Sequence, residues 1–133
     1  MERPYSVVLA DGHPMVRQGV KRIIEGMAGL QVVGEAGNGV QLLEVMKDQV
    51  PDMVIVDISM PSLRDLEAIR KIKAIYADIK IVFLSMYEHK EYLDYALSNG
   101  AEGFVIKQNV DLELYPALEK IRGGETYISP LAG

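Results

Sequence analysis

Residues 51–61 read Pro-Asp-Met-Val-Ile-Val-Asp-Ile-Ser-Met-Pro. Met53 to Val56 is an unbroken apolar run, the pattern of a strand covered on both faces in a parallel sheet. It stops in a carboxylate, Asp57, at the strand's C-terminal tip. Open α/β sheets bind ligands outside those carboxyl ends. There a charged side chain is expected to stay open to water while the core holds its backbone. An aspartate that merely caps a loop would look the same in isolation, so the neighbouring strands decide.

Working outward, Ile79 to Leu84 is a second apolar strand and ends in Ser85; Phe104 to Ile106 is another and ends in Lys107. Tyr5 to Ala10 gives the first strand, ending in Asp11, and Leu30 to Val33 a short second one. Helical stripes lie between. Val16, Val20, Ile23, Ile24 and Met27 follow Pro14, which suits a first helical position. Asn38 is placed to cap the next helix, with Gln41 returning the bond, and Leu42, Leu43 and Met46 face inward. Leu66, Ile69, Ile72 and Tyr76 line a third helix after a loop begun by Pro61. A fourth runs from about Glu88 to Ser98 on a Leu93/Ala96/Leu97 stripe and stops at Asn99-Gly100. The last carries Leu114, Leu118 and Ile121; Pro116 within it predicts a late start or a kink. Five strands alternating with five helices through short links give a doubly wound α/β sheet of parallel strands. The strand order cannot be counted from the sequence itself, and the flavodoxin-like order 2-1-3-4-5 is the natural expectation for five strands.

Composition narrows the function. A chain of 133 residues forms one domain with an adequate core. It has no cysteine, which excludes disulfides and thiolate metal sites, and only two histidines, so a structural zinc is not expected. A net charge of −5 argues against nucleic-acid binding by this domain itself. No run is long and apolar enough for a membrane span and no leader opens the chain, so a cytoplasmic protein is the default. Gly34, Gly37 and Gly39 do not form a dinucleotide loop, because the first strand–helix turn lacks the required pattern.

Parallel strands point one way, so Asp11, Asp57, Ser85 and Lys107 reach one rim of the sheet. A carboxylate, a cation and a hydroxyl around an aspartate can build and hold an acyl phosphate. Asp57 would be the nucleophile, and a hard divalent ion held by carboxylates would cancel charge on the incoming phosphoryl group. Lys107 would pair with phosphoryl oxygens and Ser85 would donate a hydrogen bond to one. His13 and His89 suit surface or capping positions better than ligand positions.

Four segments in order carry a specific resemblance: Ala-Asp-Gly-His-Pro (10–14), Val-Asp-Ile-Ser-Met-Pro (56–61), Phe-Leu-Ser-Met (83–86) and Gly-Phe-Val-Ile-Lys (103–107). Together they resemble the receiver domain of two-component response regulators over residues 5 to 122. His13-Pro14, Ser85-Met86 and the closing Gly-Gly-Glu-Thr-Tyr-Ile-Ser-Pro (123–130) resemble its NarL/FixJ, LuxR-type subfamily. The resemblance implies residues 1–122 as the receiver and residues 123–133 as the start of a linker to a helix-turn-helix effector domain. The end at Gly133 inside that run fits an excised receiver better than a stand-alone one. It further implies phosphoryl transfer to Asp57 from a sensor histidine kinase, assisted by the domain itself, which also promotes its own dephosphorylation. Ser85 and Phe104 would be the switch pair, and magnesium would be held by Asp11, Asp57 and the backbone carbonyl of Ser59. Homodimers through the first and last helices are typical of relatives, and DNA would be bound only through the missing domain.

The chain departs from that pattern in places. Gly12 stands where the family has a second acid, a direct metal ligand, so weakened magnesium affinity and slower phosphorylation are expected. Ser-Leu-Arg-Asp (62–65) replaces a glycine turn after Pro61, and Gln108 follows Lys107 where relatives have proline, so no cis bond is expected there. Ser59 and Tyr87 occupy positions that tune dephosphorylation in relatives. Tyr92 and Tyr95 are expected to be partly exposed near the switching surface. Two other readings stay open: a phosphorylation-independent pseudo-receiver acting as an interaction module, favoured by Gly12, and a flavin-binding domain, disfavoured by the Asp-Gly-His-Pro turn.

Overall fold

The structure is a computed structural model that describes residues 4–57, 63–86 and 90–130, the side chains of residues 63–66 excepted. Strands β1 (Tyr5–Ala10), β2 (Leu30–Ala36), β3 (Met53–Asp57), β4 (Lys80–Ser85) and β5 (Gly103–Ile106) alternate with helices α1 (Pro14–Glu25), α2 (Gly39–Asp48), α3 (Leu63–Ile75), α4 (Lys90–Ser98) and α5 (Val110–Arg122). All strand pairs are parallel, and the order β2-β1-β3-β4-β5 matches the expected one. Alternating side chains of the buried strands feed two cores. Val8, Val54, Ile81, Phe83 and Phe104 belong to one, with Leu42 and Met46 of α2, Ile69 and Ile72 of α3 and Ala96 of α4. Leu9, Ile55, Val82 and Val105 belong to the other, with Val20 and Ile24 of α1 and Leu114, Leu118 and Ile121 of α5.

Several local expectations hold for the reasons given. Pro14 opens α1. Asn38 Oδ1 accepts from Gln41 N at 2.9 Å, while Gln41 Oε1 accepts from Gly37 N at 2.7 Å, so the return bond lands one residue before the cap. Gly100 stops α4 at φ +77°, a conformation that costs other residues more. No peptide bond among the described residues is cis.

Others are corrected. β2 runs on to Ala36, and the register slips between Val7 and Val8 because Val33 is an extra residue on its side. Helix α3 begins at Leu63, so Arg64 and Asp65 belong to a helix and not to the loop. The inner face of α4 is rotated: Tyr92, Leu93 and Tyr95 pack on the core with Ala96, and Leu97 is turned out. Tyr95 meets Phe83 edge-on at 6.3 Å between ring centroids, a favourable aromatic geometry that outweighs keeping Leu97 inside. Val16 is likewise exposed. Pro116 neither delays α5 nor interrupts it. It lies on the solvent side, as does Leu112 one turn earlier, so the carbonyl that Pro116 cannot serve faces water. Ser59, Tyr87 and His89 lie outside the described residues.

The sheet also has a sixth strand, β6 (Tyr127–Ile128), which pairs in parallel with β5 on its outer edge. Ser129 N donates to Phe104 O at 2.8 Å, and the buried Glu113 of α5 accepts from Tyr127 Oη at 2.9 Å and Ser129 Oγ at 3.0 Å. The run after Gly123-Gly124 is therefore docked on the sheet edge as far as Ser129. Burial first, and then the bond to Glu113, push the Tyr127 phenol up to about 12. A neutral phenol is what donates, so this docking is complete below the ordinary tyrosine value of 10.0 and is lost as pH rises through about 12. Subtracting the alkaline absorbance titration of Tyr127→Phe from that of the parent should isolate a phenolate step near the higher value; a step at the ordinary value would show that the contact is not made.

Candidate functional site

The C-terminal ends of β1, β3, β4 and β5 share one rim, and four residues named from the sequence stand on it. Asp57 pairs in register with Leu84, which puts Ser85 one position further along the rim; Ser85 in turn pairs with Ile106. Immediately past Ile106 the chain tightens into a single 3-10 turn, Lys107–Asn109. That turn brings the Lys107 ammonium back over the strand ends. Its Nζ lies 2.9 Å from Asp57 Oδ2 and 2.9 Å from Asp11 Oδ2.

Asp11 is held from several directions. Its backbone N–H donates to Ala36 O at 3.0 Å, and the Arg17 guanidinium donates to its carbonyl at 2.7 Å. Arg17 and Lys21 both meet Glu35, at 3.1 and 3.3 Å, so α1 and β2 brace the strand end together. Asp11 Oδ1 accepts from the His13 backbone N–H at 2.8 Å, and the His13 ring nitrogen Nδ1 lies 3.1 Å from the same oxygen. That Nδ1 is also 3.6 Å from Asp57 Oδ2.

One expectation is overturned here. Asp57 is not open to water: it is 1% exposed, and Asp11 is 4% exposed. The Lys107 ammonium and the His13 ring lie against the carboxylates. Burying an ionised carboxylate is costly unless it is paired, and Lys107 supplies the pairing. His13, taken from the sequence as a surface or capping residue, sits at the N-cap of α1 but makes no side-chain cap bond. Its ring faces the acids instead. Its place two residues past the strand-end acid put it near the rim, but nothing in the sequence sets the direction of the ring.

Ser85 and Phe104 are both fully buried. Phe104 pairs in register with Phe83, two residues before Ser85, so by strand alternation Ser85 shares the face of β4 that carries Phe83.

The group suits a divalent cation. Asp11, His13 and Asp57 each offer a donor atom, all within 4.8 Å of one another. Asp11 Oδ2 is buried and ion-paired with the Lys107 ammonium at 2.9 Å. Two buried carboxylates side by side, already facing one cationic group, fit a hard cation.

Comparison with known proteins agrees with this geometry. The family described as the response regulator receiver domain matches residues 7–119. The nitrate/nitrite response regulator NarL of Escherichia coli K12 is 35% identical over 128 residues, covering 96% of this chain and 59% of that protein. The chain thus spans well under two thirds of that relative. A two-component response regulator of the LuxR family from Aurantimonas sp. superposes with a TM-score of 0.88 at 31% identity, covering 96% of this chain and 91% of that one. The isolated receiver domain of RcsB from Salmonella enterica serovar Typhimurium, solved with the phosphomimetic BeF3−, gives 0.87 at 26% identity, covering 97% and 96%.

Proposed function

The chain belongs to the response regulator receiver domain family, of the NarL/LuxR type, and from that premise we propose that it accepts a phosphoryl group on Asp57 from a sensor histidine kinase. The observation that carries the proposal is the single ammonium of Lys107 bridging two buried strand-end carboxylates. An oxygen of Asp57 attacks phosphorus and the bond to the donor breaks, leaving an acyl phosphate. Lys107 swings from the carboxylates to the phosphoryl oxygens, and Ser85 donates a hydrogen bond to one of them. Phe104 then takes up the space that Ser85 vacates, which changes the surface of α4, β5 and α5. A divalent ion held by Asp11 and Asp57 would supply positive charge against the phosphoryl oxygens; the Ser59 carbonyl, a further ligand on this reading, lies outside the described residues.

The burial of Asp57 is compatible with this chemistry because, among the described residues, the tips of two side chains lie against it. His13, 62% exposed, and Lys107 can move without disturbing a strand. The domain would also speed loss of its own phosphate. Its output would be transcription control through a DNA-binding domain following residues 123–133, in the cytoplasm; no helix among the described residues is long and apolar enough to cross a membrane. Exposed apolar side chains on α1 and α5, Met15, Leu112 and Tyr115, support a homodimer through those helices.

Incubation with acetyl phosphate and magnesium should add one phosphoryl mass to the intact chain. No gain with any donor or divalent ion would favour the second reading, a phosphorylation-independent interaction module, which Gly12 makes worth carrying; a yellow, flavin-containing protein would favour neither. Gly12 is exposed, and a Cβ there would meet only Gly37 O at 3.4 Å, an ordinary contact. Gly12→Asp should therefore fold normally and tighten magnesium binding on the order of tenfold. Unchanged magnesium affinity in a calorimetric titration would show that the missing acid is not what limits the site.

A further inference from the structure

We propose that His13 is a nitrogen ligand of this site, and that it turns the site's preference from magnesium toward divalent first-row transition ions such as manganese and zinc. The proposal rests on reading Asp11 and Asp57 as the cation site and concerns which ion they hold. Gly12 brings no donor atom to the rim. The residue after it does: His13 Nδ1 is 3.1 Å from Asp11 Oδ1 and 3.6 Å from Asp57 Oδ2.

Those separations are near what a shared ion demands. Two neighbouring donors, each about 2.1 Å from a cation in octahedral array, stand about 3.0 Å apart. The same two acids already hold positive charge, with Lys107 Nζ 2.9 Å from Asp11 Oδ2 and 2.9 Å from Asp57 Oδ2. As a ligand, Nδ1 must carry no proton, and the exposed ring allows the tautomer protonated on Nε2.

Donor chemistry then sets the preference. Magnesium selects oxygen ligands and resists exchanging water for imidazole, whereas manganese, cobalt, nickel and zinc accept mixed nitrogen and carboxylate sets. A second carboxylate at position 12 would make an all-oxygen site; histidine at position 13 makes a mixed one. Any carboxylate site gains affinity along that metal series, so a bare preference for zinc over magnesium proves nothing. What discriminates is how far the preference depends on the imidazole.

The test is calorimetric titration of the unphosphorylated chain with magnesium, manganese and zinc, in the parent, His13→Ala and His13→Gln. Manganese and zinc affinity should fall about tenfold or more in both variants, with magnesium changed less than about twofold. The absorption spectrum of bound cobalt should shift on substitution as a nitrogen donor is lost. Equal loss for all three ions, or manganese and zinc affinity that does not change, would overturn the proposal. If the parent binds no divalent ion, the proposal and the cation site both fall. Phosphoryl uptake is scored separately by mass, so loss of the His13 effect alone leaves the phosphoacceptor reading standing.

Discussion

Asp57→Asn is expected to take up no phosphoryl group and to fold at least as stably as the parent chain. The first half follows from chemistry: an amide oxygen does not attack phosphorus as a carboxylate does. The second follows from charge. Asp11 and Asp57 offer oxygens within 4.8 Å of each other, both buried, and share the one ammonium of Lys107. Like charges that close disfavour each other's ionised form. Removing one leaves a one-to-one ion pair with Asp11, so a gain of about 1 kcal/mol in a urea melt is expected. A loss of several kcal/mol instead would mean that Asp57 holds the fold and not a site.

Lys107→Met should act in the opposite direction on stability and the same direction on chemistry. It keeps most of the length of the side chain and its apolar stem, but strips the ammonium that lies 2.9 Å from each of the two buried carboxylates. Breaking a buried pair by removing one partner typically costs about 3–5 kcal/mol. The variant should therefore unfold at lower urea, and phosphoryl uptake should slow by orders of magnitude because the ammonium that would pair with the incoming oxygens is gone. Adding Asp57→Asn to Lys107→Met should return part of the lost stability, since one of the stranded charges goes. A double variant no more stable than Lys107→Met alone would show that the two groups do not interact as their 2.9 Å separation requires.

The strand ends were legible because buried parallel strands are written as apolar runs, and the polar residue that stops each run marks the rim. That logic located Asp11, Asp57, Ser85 and Lys107 without knowledge of the pairing; the order β2-β1-β3-β4-β5 is not written in the runs and came from the usual arrangement of five such strands. It could not locate what folds back over the rim. The one-turn helix at Lys107–Asn109 carries no period of its own, yet it brings the ammonium to 2.9 Å from the buried Asp57. His13 was weighed as a surface residue because a helix entry says nothing about which way a ring points. On α4, a Leu93/Ala96/Leu97 stripe looks the more apolar, but Tyr92 and Tyr95 pack better against Phe83 and its neighbours. β6 was invisible for a different reason. Two residues after a glycine pair have no periodicity, and their partner, the outer edge of β5, exists only once the sheet is built.

The most direct measurement is where the phosphate sits. After incubation with acetyl phosphate and magnesium, borohydride reduction converts an acyl phosphate on aspartate to homoserine, which a peptide mass map locates. Homoserine at position 57 and at no other acid is the expected result. Reduction at Asp11, or at several exposed acids with Asp57 intact, would contradict it.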